Sequence, residues 1–253
     1  IQALEWASAR KVRTTFEGTQ THLSTADACI VCPASANTIA SIAHGITDRP
    51  DLAAISSHLG LGNPVAFLPT MHSTLANAPA YRRNFQQLID DGLHPLEPRV
   101  EEQKHKFPIP EVLADQIAHW LNAPNIPTSG VVVTLGGTSA AIDDVRHIGN
   151  FSTGKLGSLI TEELYRNGFS VSAVAANSKY LPRVYSKLIE ARTNDKMRSV
   201  VTNLCASSNT NGLVMAAAVL DFIPADIIHG KTPSAAGSLD INLIADKKII
   251  AQT

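Results

Sequence analysis

Val131–Gly157 reads VVVTLGGTSAAIDDVRHIGNFSTGKLG, and this stretch decides how the second half of the chain folds. Val131 to Thr134 are β-favouring residues, and they run into a Gly136–Gly137–Thr138 turn. A polar loop follows, carrying Asp143, Arg146, Asn150, Ser152, Thr153 and Lys155, and a helix starts near Lys155. A strand that empties into a glycine-rich loop before a helix suits a nucleotide phosphate. The loop and the helix start supply backbone N–H donors, and glycine lets the backbone come close. This loop holds more polar side chains than phosphate binding needs, so it reads as a catalytic nucleotide site.

The pattern continues outward from there. The helix from Ser152 to Asn167 carries Leu156, Ile160, Leu164 and Tyr165 on a shared face, and Gly168 ends it. Phe169–Ala175 is the next strand. Lys187–Ile189 and the stretch around 196–204 read as a strand and then a helix. Val214–Val219 is a small-residue strand with Leu220–Pro224 as its exit loop, and Leu239–Ile244 is a further strand. The loop after the first strand lacks the third glycine of a dinucleotide fingerprint. Ala175–Ala176–Asn177 has no carboxylate for a ribose, so NAD is not expected.

The first half repeats the alternation. Residues 2–10 read as a helix end, 11–16 as a short strand or extended piece and Gly18–Ser24 as loop. Ala26–Cys32 is a strand ended by Pro33, and Pro33–Asn37 is a turn that opens a helix over Thr38–Gly45. Ligands of open α/β sheets sit at such strand ends. Asn37 can donate and accept there, or simply cap the helix. A helix over Asp51–Leu59, a strand over Pro64–Leu68 and an amphipathic helix over Ala78–Asp91 follow. Leu93–Pro110 is irregular, Glu111–Asn122 is a helix, and Ala123–Ser129, with two prolines, is the linker. The whole chain is therefore α/β, with two doubly wound domains of mainly parallel sheet over 1–124 and 129–253.

Bulk properties bound the function. The chain has 253 residues and 44% hydrophobic content, enough for two cored domains. A net charge of −1 shows no basic excess for nucleic acid. Cys29 and Cys32 sit in an apolar run with no second Cys/His pair at metal spacing, which points to core packing over metal or redox use. The odd cysteine count fits a reducing, cytoplasmic setting. No apolar run reaches the roughly 18–20 residues of a membrane span. Ile1–Arg10 looks like the inside of a helix, so a true N-terminus is expected to be missing.

Two resemblances sharpen this. ADACIVCPASANTIASIAHGI, residues 26–46 counted from Ala26, resembles the flavin-dependent cysteine decarboxylase family, and PTMHSTLANAP from Pro69 resembles its second motif. That resemblance covers about residues 12–122. It implies FMN lined by Ser35, Asn37, Thr38 and Met71, a catalytic Asn37 at the substrate carboxylate, and an active-site histidine for which His22 is the candidate. The sequence also departs from that family. His72 replaces an asparagine, Leu75–Ala76 replaces Met-Trp, residues 93–110 lack the flap cysteine, and the family's first strand and phosphate loop are absent.

The second half, GGT–IDDVRHIGN–STGKLG followed by AAAVLDF at 216–222 and Lys231, resembles phosphopantothenate–cysteine ligase. Bacterial members of this family commonly join the two domains in this order. The resemblance implies that CTP activates the carboxylate of phosphopantothenate, with release of pyrophosphate, and that cysteine then attacks the acyl-cytidylate. It assigns Asn150 to the acyl intermediate and Lys231 to the triphosphate. Gly136, Gly137, Thr138, Ala217, Asp221 and Phe222 go to the nucleotide. Arg146, Ser152 and Lys155 go to the phosphorylated substrate, although Arg146 could instead pair with Asp143 or Asp144. Mg²⁺ is expected with the triphosphate and not from side-chain ligands. Ala245–Ile249 departs from the family's Lys-Asn-Pro-Asp-Ile, and Lys247 or Lys248 could substitute for the lost lysine. A homo-oligomer with small-molecule substrates, and no nucleic-acid or membrane partner, is expected. Two rivals remain: a homologue ligating another acid and amine, and a flavin-binding protein without turnover.

Overall fold

Strand–helix alternation builds two parallel sheets in the computed structural model, which describes residues 1–16, 26–126, 130–233 and 237–252. The chain divides into two compact units, Ile1–Leu113 and Ala114–Thr253. The architecture is α/β with mainly parallel sheets, as the sequence implies.

In the first unit, helix α1 (Gln2–Ser8) buries no side chain. Strand β1 (Cys29–Ala34) leads into α2 (Ala36–Ala43), then α3 (Pro50–Gly60) and β2 (Val65–Pro69). The short β3 (Met71–His72), α4 (Ser73–Ala76), α5 (Pro79–Asp90) and β4 (His94–Pro95) follow. The parallel order is β1-β2-β4, and β2 is buried along its whole length. Its Val65 and Phe67 pack with Ile39 of α2, Leu52 of α3 and Leu88 of α5. Each such side chain taken fully out of water contributes roughly 1.5–3 kcal/mol. Cys29 packs against this core, and burial raises the Cys29 and Cys32 thiols above their ordinary pKa.

Of the two readings of residues 11–16, the strand is not formed. Two expectations need correction here. Pro33 does not end β1; the strand runs to Ala34 across a register shift. Residues 93–110 are not irregular throughout. Besides β4 they form a hairpin of β5 (Arg99–Glu101) and β6 (Lys104–Lys106), which pairs with β3 through β6. The alternating charges of the hairpin hide a strand signal, because neither of its faces needs to be apolar.

Helix α6 (Pro110–Asn122) sends its last turns to the second unit. There Asp115 accepts from Arg166 at 2.8 Å and His119 stacks on Tyr165 with centroids 4.0 Å apart. After it come β7 (Gly130–Leu135), β8 (Ser139–Ala141), β9 (His147–Gly149), α7 (Lys155–Arg166), β10 (Ser170–Ala175) and β11 (Lys187–Glu190). Then follow α8 (Asn194–Cys205), β12 (Thr210–Met215), β13 (Phe222–Pro224) and β14 (Leu243–Ala245). The parallel order is β11-β10-β7-β12. Strand side chains alternate faces. Val132 and Val174 therefore meet Met197 and Val201 of α8, while Leu135, Ala173 and Ala175 form a separate cluster on the other face. Helices on both faces make the sheet doubly wound.

Helix α7 corrects the expected apolar face. Gly157, Ser158, Thr161 and Glu162 are the buried positions, and Leu156 is 66% exposed. The reason is distance: a Cβ on Gly157 would lie 2.5 Å from Leu135 Cβ and 3.0 Å from the Thr134 carbonyl. A helix that close to its strand has no room for leucine. The expected strand at 214–219 is shifted back to Thr210–Met215, which leaves Ala216–Val219 as loop. The expected strand at 239–244 is the short β14, antiparallel to β13. No helix among the described residues is long and apolar enough to cross a membrane.

Candidate functional site

Sheet order locates the site. The chain leaves β7 for β10 on one side and later returns to β12 on the other, so the carboxyl ends of β7 and β12 flank a switch point, where open α/β sheets hold ligands. The loops after these two strands are laced together. Thr138 N–H donates to the Ala218 carbonyl at 3.1 Å, and Ala218 N–H donates to Gly136 at 2.8 Å. Ala217 N–H donates to Thr134 Oγ1 at 3.2 Å. Gly136 is required at the turn. Its φ is 82°, and a Cβ would lie 2.7 Å from the Asn177 carbonyl oxygen.

The β8–β9 hairpin carries the chain out and back. It returns Asn150 beside Gly137, whose missing Cβ would lie 2.5 Å from the Asn150 carbonyl oxygen. The Asn150 amide donates to the Ala218 carbonyl at 3.1 Å, and its Oδ1 has no partner among the described residues. A cavity of about 380 Å³ opens here, and its lining includes Asn150, Ala217, Asp221, Asp246, Lys247 and Lys248. Lys248 reaches Asp221 at 2.6 Å. The structure thus brings Asn150, Ala217 and Asp221 together with the Gly136–Thr138 turn.

Other sequence candidates lie elsewhere. Lys231 is exposed and does not line this cavity; its neighbours Gly230 and Thr232 are tied to the 143–146 turn. Arg146 takes the second of its two readings. It pairs with Asp143 and donates to the Thr232 carbonyl at 3.3 Å. Phe222 sits on the β13–β14 ribbon at 55% exposure, away from the lining. Ser152 and Lys155 stand at the start of α7, with Lys155 Nζ 5.9 Å from the Tyr180 ring centre. A lysine there works against the helix dipole, so nothing about α7 itself favours it.

In the first unit, Ser35 caps α2: its Oγ accepts from Thr38 N–H at 3.2 Å and lies 3.0 Å from Thr38 Oγ1. Asn37 is not the cap. It is exposed, with no side-chain hydrogen bond among the described residues. Met71 packs against the first core. His72 Nδ1 accepts from Thr74 N–H at 3.3 Å and so caps α4. His22 lies outside the described residues.

Sequence reasoning missed the group that holds the second site in place. Asn194, buried at the start of α8, accepts from Thr138 Oγ1 at 2.6 Å and donates to the Leu220 carbonyl at 2.8 Å and Asp246 Oδ2 at 2.7 Å. Arg198 also meets Asp246, at 2.8 Å. Burial raises the Asp246 pKa, but the bonds from Asn194, Lys247 N–H and Arg198 outweigh it and leave the carboxyl below its ordinary value. Asn177 donates to the Gly137 carbonyl at 3.0 Å. An asparagine one residue past a helix cap has no distinctive spacing, so only the fold reveals it.

Asp143 anchors the 230–232 segment. Burial raises its pKa, but N–H bonds from Val145, Arg146 and Thr232, with the Arg146 guanidinium, bring it from 3.8 down to about 2. A depressed carboxyl stabilises the fold fully above its unfolded pKa, and that contribution is lost as pH falls through the folded value. Thermal melts from pH 7 downward should therefore show this anchor intact until about pH 4 and lost near pH 2. Asp143→Asn should flatten that part of the profile. An identical profile in the variant would contradict the assignment.

Residues 127–253 match the family described as DNA/pantothenate metabolism flavoprotein C-terminal domain, and residues 2–122 match the family described as Flavoprotein. The chain is 33% identical over 227 residues to the coenzyme A biosynthesis bifunctional protein CoaBC of Thermococcus kodakarensis, covering 87% of this chain and 56% of that protein. It is 30% identical over 234 residues to the protein of the same name from Bacillus subtilis, covering 86% and 55%. The chain spans about half the length of these curated relatives. A solved C-terminal domain of CoaBC aligns with a TM-score of 0.42 and 26% identity over 51% of this chain and 58% of that one. With its second half matched throughout by one family domain and its first half by the flavoprotein domain, the chain belongs to the DNA/pantothenate metabolism flavoprotein family.

Proposed function

We propose that this chain is an enzyme of coenzyme A biosynthesis whose second unit joins phosphopantothenate to cysteine at the expense of CTP. The observation that carries the reading is the cavity at the β7/β12 switch point, where Asn150, Ala217 and Asp221 meet beside the glycine turn. A carboxylate oxygen of the acid attacks the α-phosphorus of CTP, and pyrophosphate leaves. The cysteine amine then attacks the acyl carbon, and CMP leaves with the bonding electrons. Such a site needs donors aimed at developing charge more than it needs a base. The backbone N–H groups of the turn and the α7 start serve phosphates. The Asn150 amide serves the acyl intermediate without adding charge. Lys248, which meets Asp221, offers a cation at the cavity in a place where Lys231 does not line it. Mg²⁺ enters with the triphosphate; among the described residues no group of three His, Cys, Asp or Glu side chains forms a metal site. The exposed apolar side chains Phe222, Leu243 and Ile244 of the β13–β14 ribbon support a homo-oligomer.

The first unit fits FMN at the start of α2. The Ser35 and Thr38 hydroxyls and the unengaged Asn37 amide present donors and acceptors at a parallel strand end. When bound, FMN supplies the oxidation that makes loss of CO₂ from a cysteine adduct feasible. The β5–β6 hairpin carries no cysteine, and His72 is occupied in capping α4, so ligation is the better supported of the two activities.

The test is pyrophosphate release by the intact chain from CTP with phosphopantothenate and cysteine. Release that needs all three supports the proposal. Release only with another acid or amine points to a specialised ligase. No release with any acid, together with retained flavin absorbance, points to a flavin-binding protein.

A further inference from the structure

The glycine turn of the second unit has two flanks, and the nucleotide reading uses only one of them. Gly137 is bridged to Ala218, which lines the cavity described above, and on its other side to Asn177. A second cavity, of about 350 Å³, opens on the Asn177 flank at the carboxyl ends of β10 and β11. It shares no lining residue with the first. Its volume sits at the small end of the roughly 300–1,000 Å³ of small-molecule sites.

Strand register explains the space. Alternate residues of a strand share a face, so Leu188 and Glu190 of β11 stand together. The parallel pairing sets Ala173 of β10 beside Leu188, and Ala175 beside Glu190. Leu188 packs on the cluster of Leu135, Ala173 and Ala175, which gives the cavity an apolar floor. Ala175 and Ala176 are buried, and their side chains end at Cβ, so the room above them stays open.

Backbone bonds fasten this cavity to the turn. Gly137 N–H donates to the Asn177 carbonyl at 3.0 Å, and Asn177 N–H returns a bond to the Gly137 carbonyl at 3.1 Å. Ser139 N–H donates to the Arg192 carbonyl at 2.9 Å, and Ala191 N–H to the Ala175 carbonyl at 2.7 Å. Two lining residues, Asn177 and Arg192, thus touch the same short turn that meets Asn150.

The cavity carries one charge of each sign. Glu190 and Arg192 pair with each other, and both side chains are mostly exposed. An exposed ion pair contributes little stability, so a ligand can part it at small cost. No other ionisable side chain lines the cavity among the described residues. A phosphate dianion would face Glu190 with a single cation to offset it. A zwitterion meets an opposite charge at each of its ends.

We propose that this cavity holds the amine substrate, a free α-amino acid with a small side chain. The proposal rests on the ligation reading, in which that amino acid is cysteine. Glu190 takes the ammonium, Arg192 takes the carboxylate, and the side chain lies over Ala175, Ala176 and Leu188. The activated acid beside Asn150 and the amino acid beside Asn177 then approach the turn from opposite flanks.

The probes are L-cysteine, cysteamine, which lacks the carboxylate, and 3-mercaptopropionate, which lacks the ammonium. Each is titrated into the intact, reduced chain without nucleotide and followed by calorimetry. Cysteine is expected to saturate, and each analogue to bind about tenfold more weakly, the loss of one charge-assisted contact. Arg192→Gln should weaken cysteine by a similar factor and leave cysteamine unchanged. Glu190→Gln should weaken cysteine and leave 3-mercaptopropionate unchanged. Both side chains are exposed, and Arg192 meets Ser139 through its backbone, so both variants keep the fold. In turnover, Arg192→Gln should raise the KM for cysteine roughly tenfold. The proposal is overturned by cysteine that does not saturate, by equal cysteine affinity in Arg192→Gln, or by analogues that bind as tightly as cysteine. Displacement of cysteine by phosphopantothenate would give the cavity to the acid and overturn it as well. Saturable cysteine binding that Arg192→Gln weakens, in a chain that releases no pyrophosphate from CTP, keeps this site and overturns the ligation reading instead.

Discussion

An Asn150→Asp variant should release pyrophosphate from CTP roughly 10²–10³-fold more slowly than the wild type, the usual loss when one preorganised donor is removed from a charge-developing site. It should melt at the wild-type temperature, because Asn150 is exposed and its side chain makes a single bond. Two effects act in the same direction. The amide now donates to the Ala218 carbonyl at 3.1 Å, and a carboxylate there would set acceptor against acceptor. The variant would also place a negative charge at the cavity where a triphosphate must sit. Asn150→Ser restores neutrality without the amide's reach and should fall between the two. Unchanged turnover in the aspartate variant would remove Asn150 from the site, and a drop in melting temperature as large as the drop in rate would make its role structural.

The centre of the second sheet was readable because Val132–Leu135 of β7 is buried on both faces and stands out as a β-branched run ending in leucine. The turn after it was readable because Gly136 must be glycine: positive φ and a backbone carbonyl at 2.7 Å leave no choice. Helix α7 was legible in extent but not in orientation. The rule that leucines face the core fails where Gly157 lets the helix lie against Leu135. The 214–219 segment misled for a related reason, since small apolar residues suit both a buried strand and a loop packed over a strand end. Lys231 shows where spacing stops being geometry. Ten residues separate it from Asp221, yet its loop is fastened by the Thr232 N–H to the Asp143 carboxylate, a long-range pairing that local spacing does not encode. The β5–β6 hairpin was illegible because its turn residues are the wrong type for the conformation they hold.

Asn194→Ala should destabilise the second unit by roughly 3–5 kcal/mol, the sum of several buried hydrogen bonds left half-made. The substitution leaves the Thr138 hydroxyl without its acceptor and the Leu220 carbonyl without the Asn194 amide, and Asp246 Oδ2 keeps only its contact from Arg198. Water cannot easily compensate, because Asn194 is 5% exposed and Thr138 is 0% exposed. The Thr138 hydroxyl also accepts from Leu220 N–H at 2.9 Å, so the residue couples the loop after β7 to the loop after β12. Loosening that joint should weaken nucleotide binding as well as the fold, although Asn194 does not line the cavity. Asn194→Asp should be no better, since its carboxylate would face that of Asp246 across 2.7 Å. Asn167→Ala, which removes an exposed amide from the end of α7, is the control and should change stability by about 0.5 kcal/mol or less. Urea unfolding followed by circular dichroism measures all three. A midpoint for Asn194→Ala equal to that of Asn167→Ala would show that Asn194 does not join the two loops.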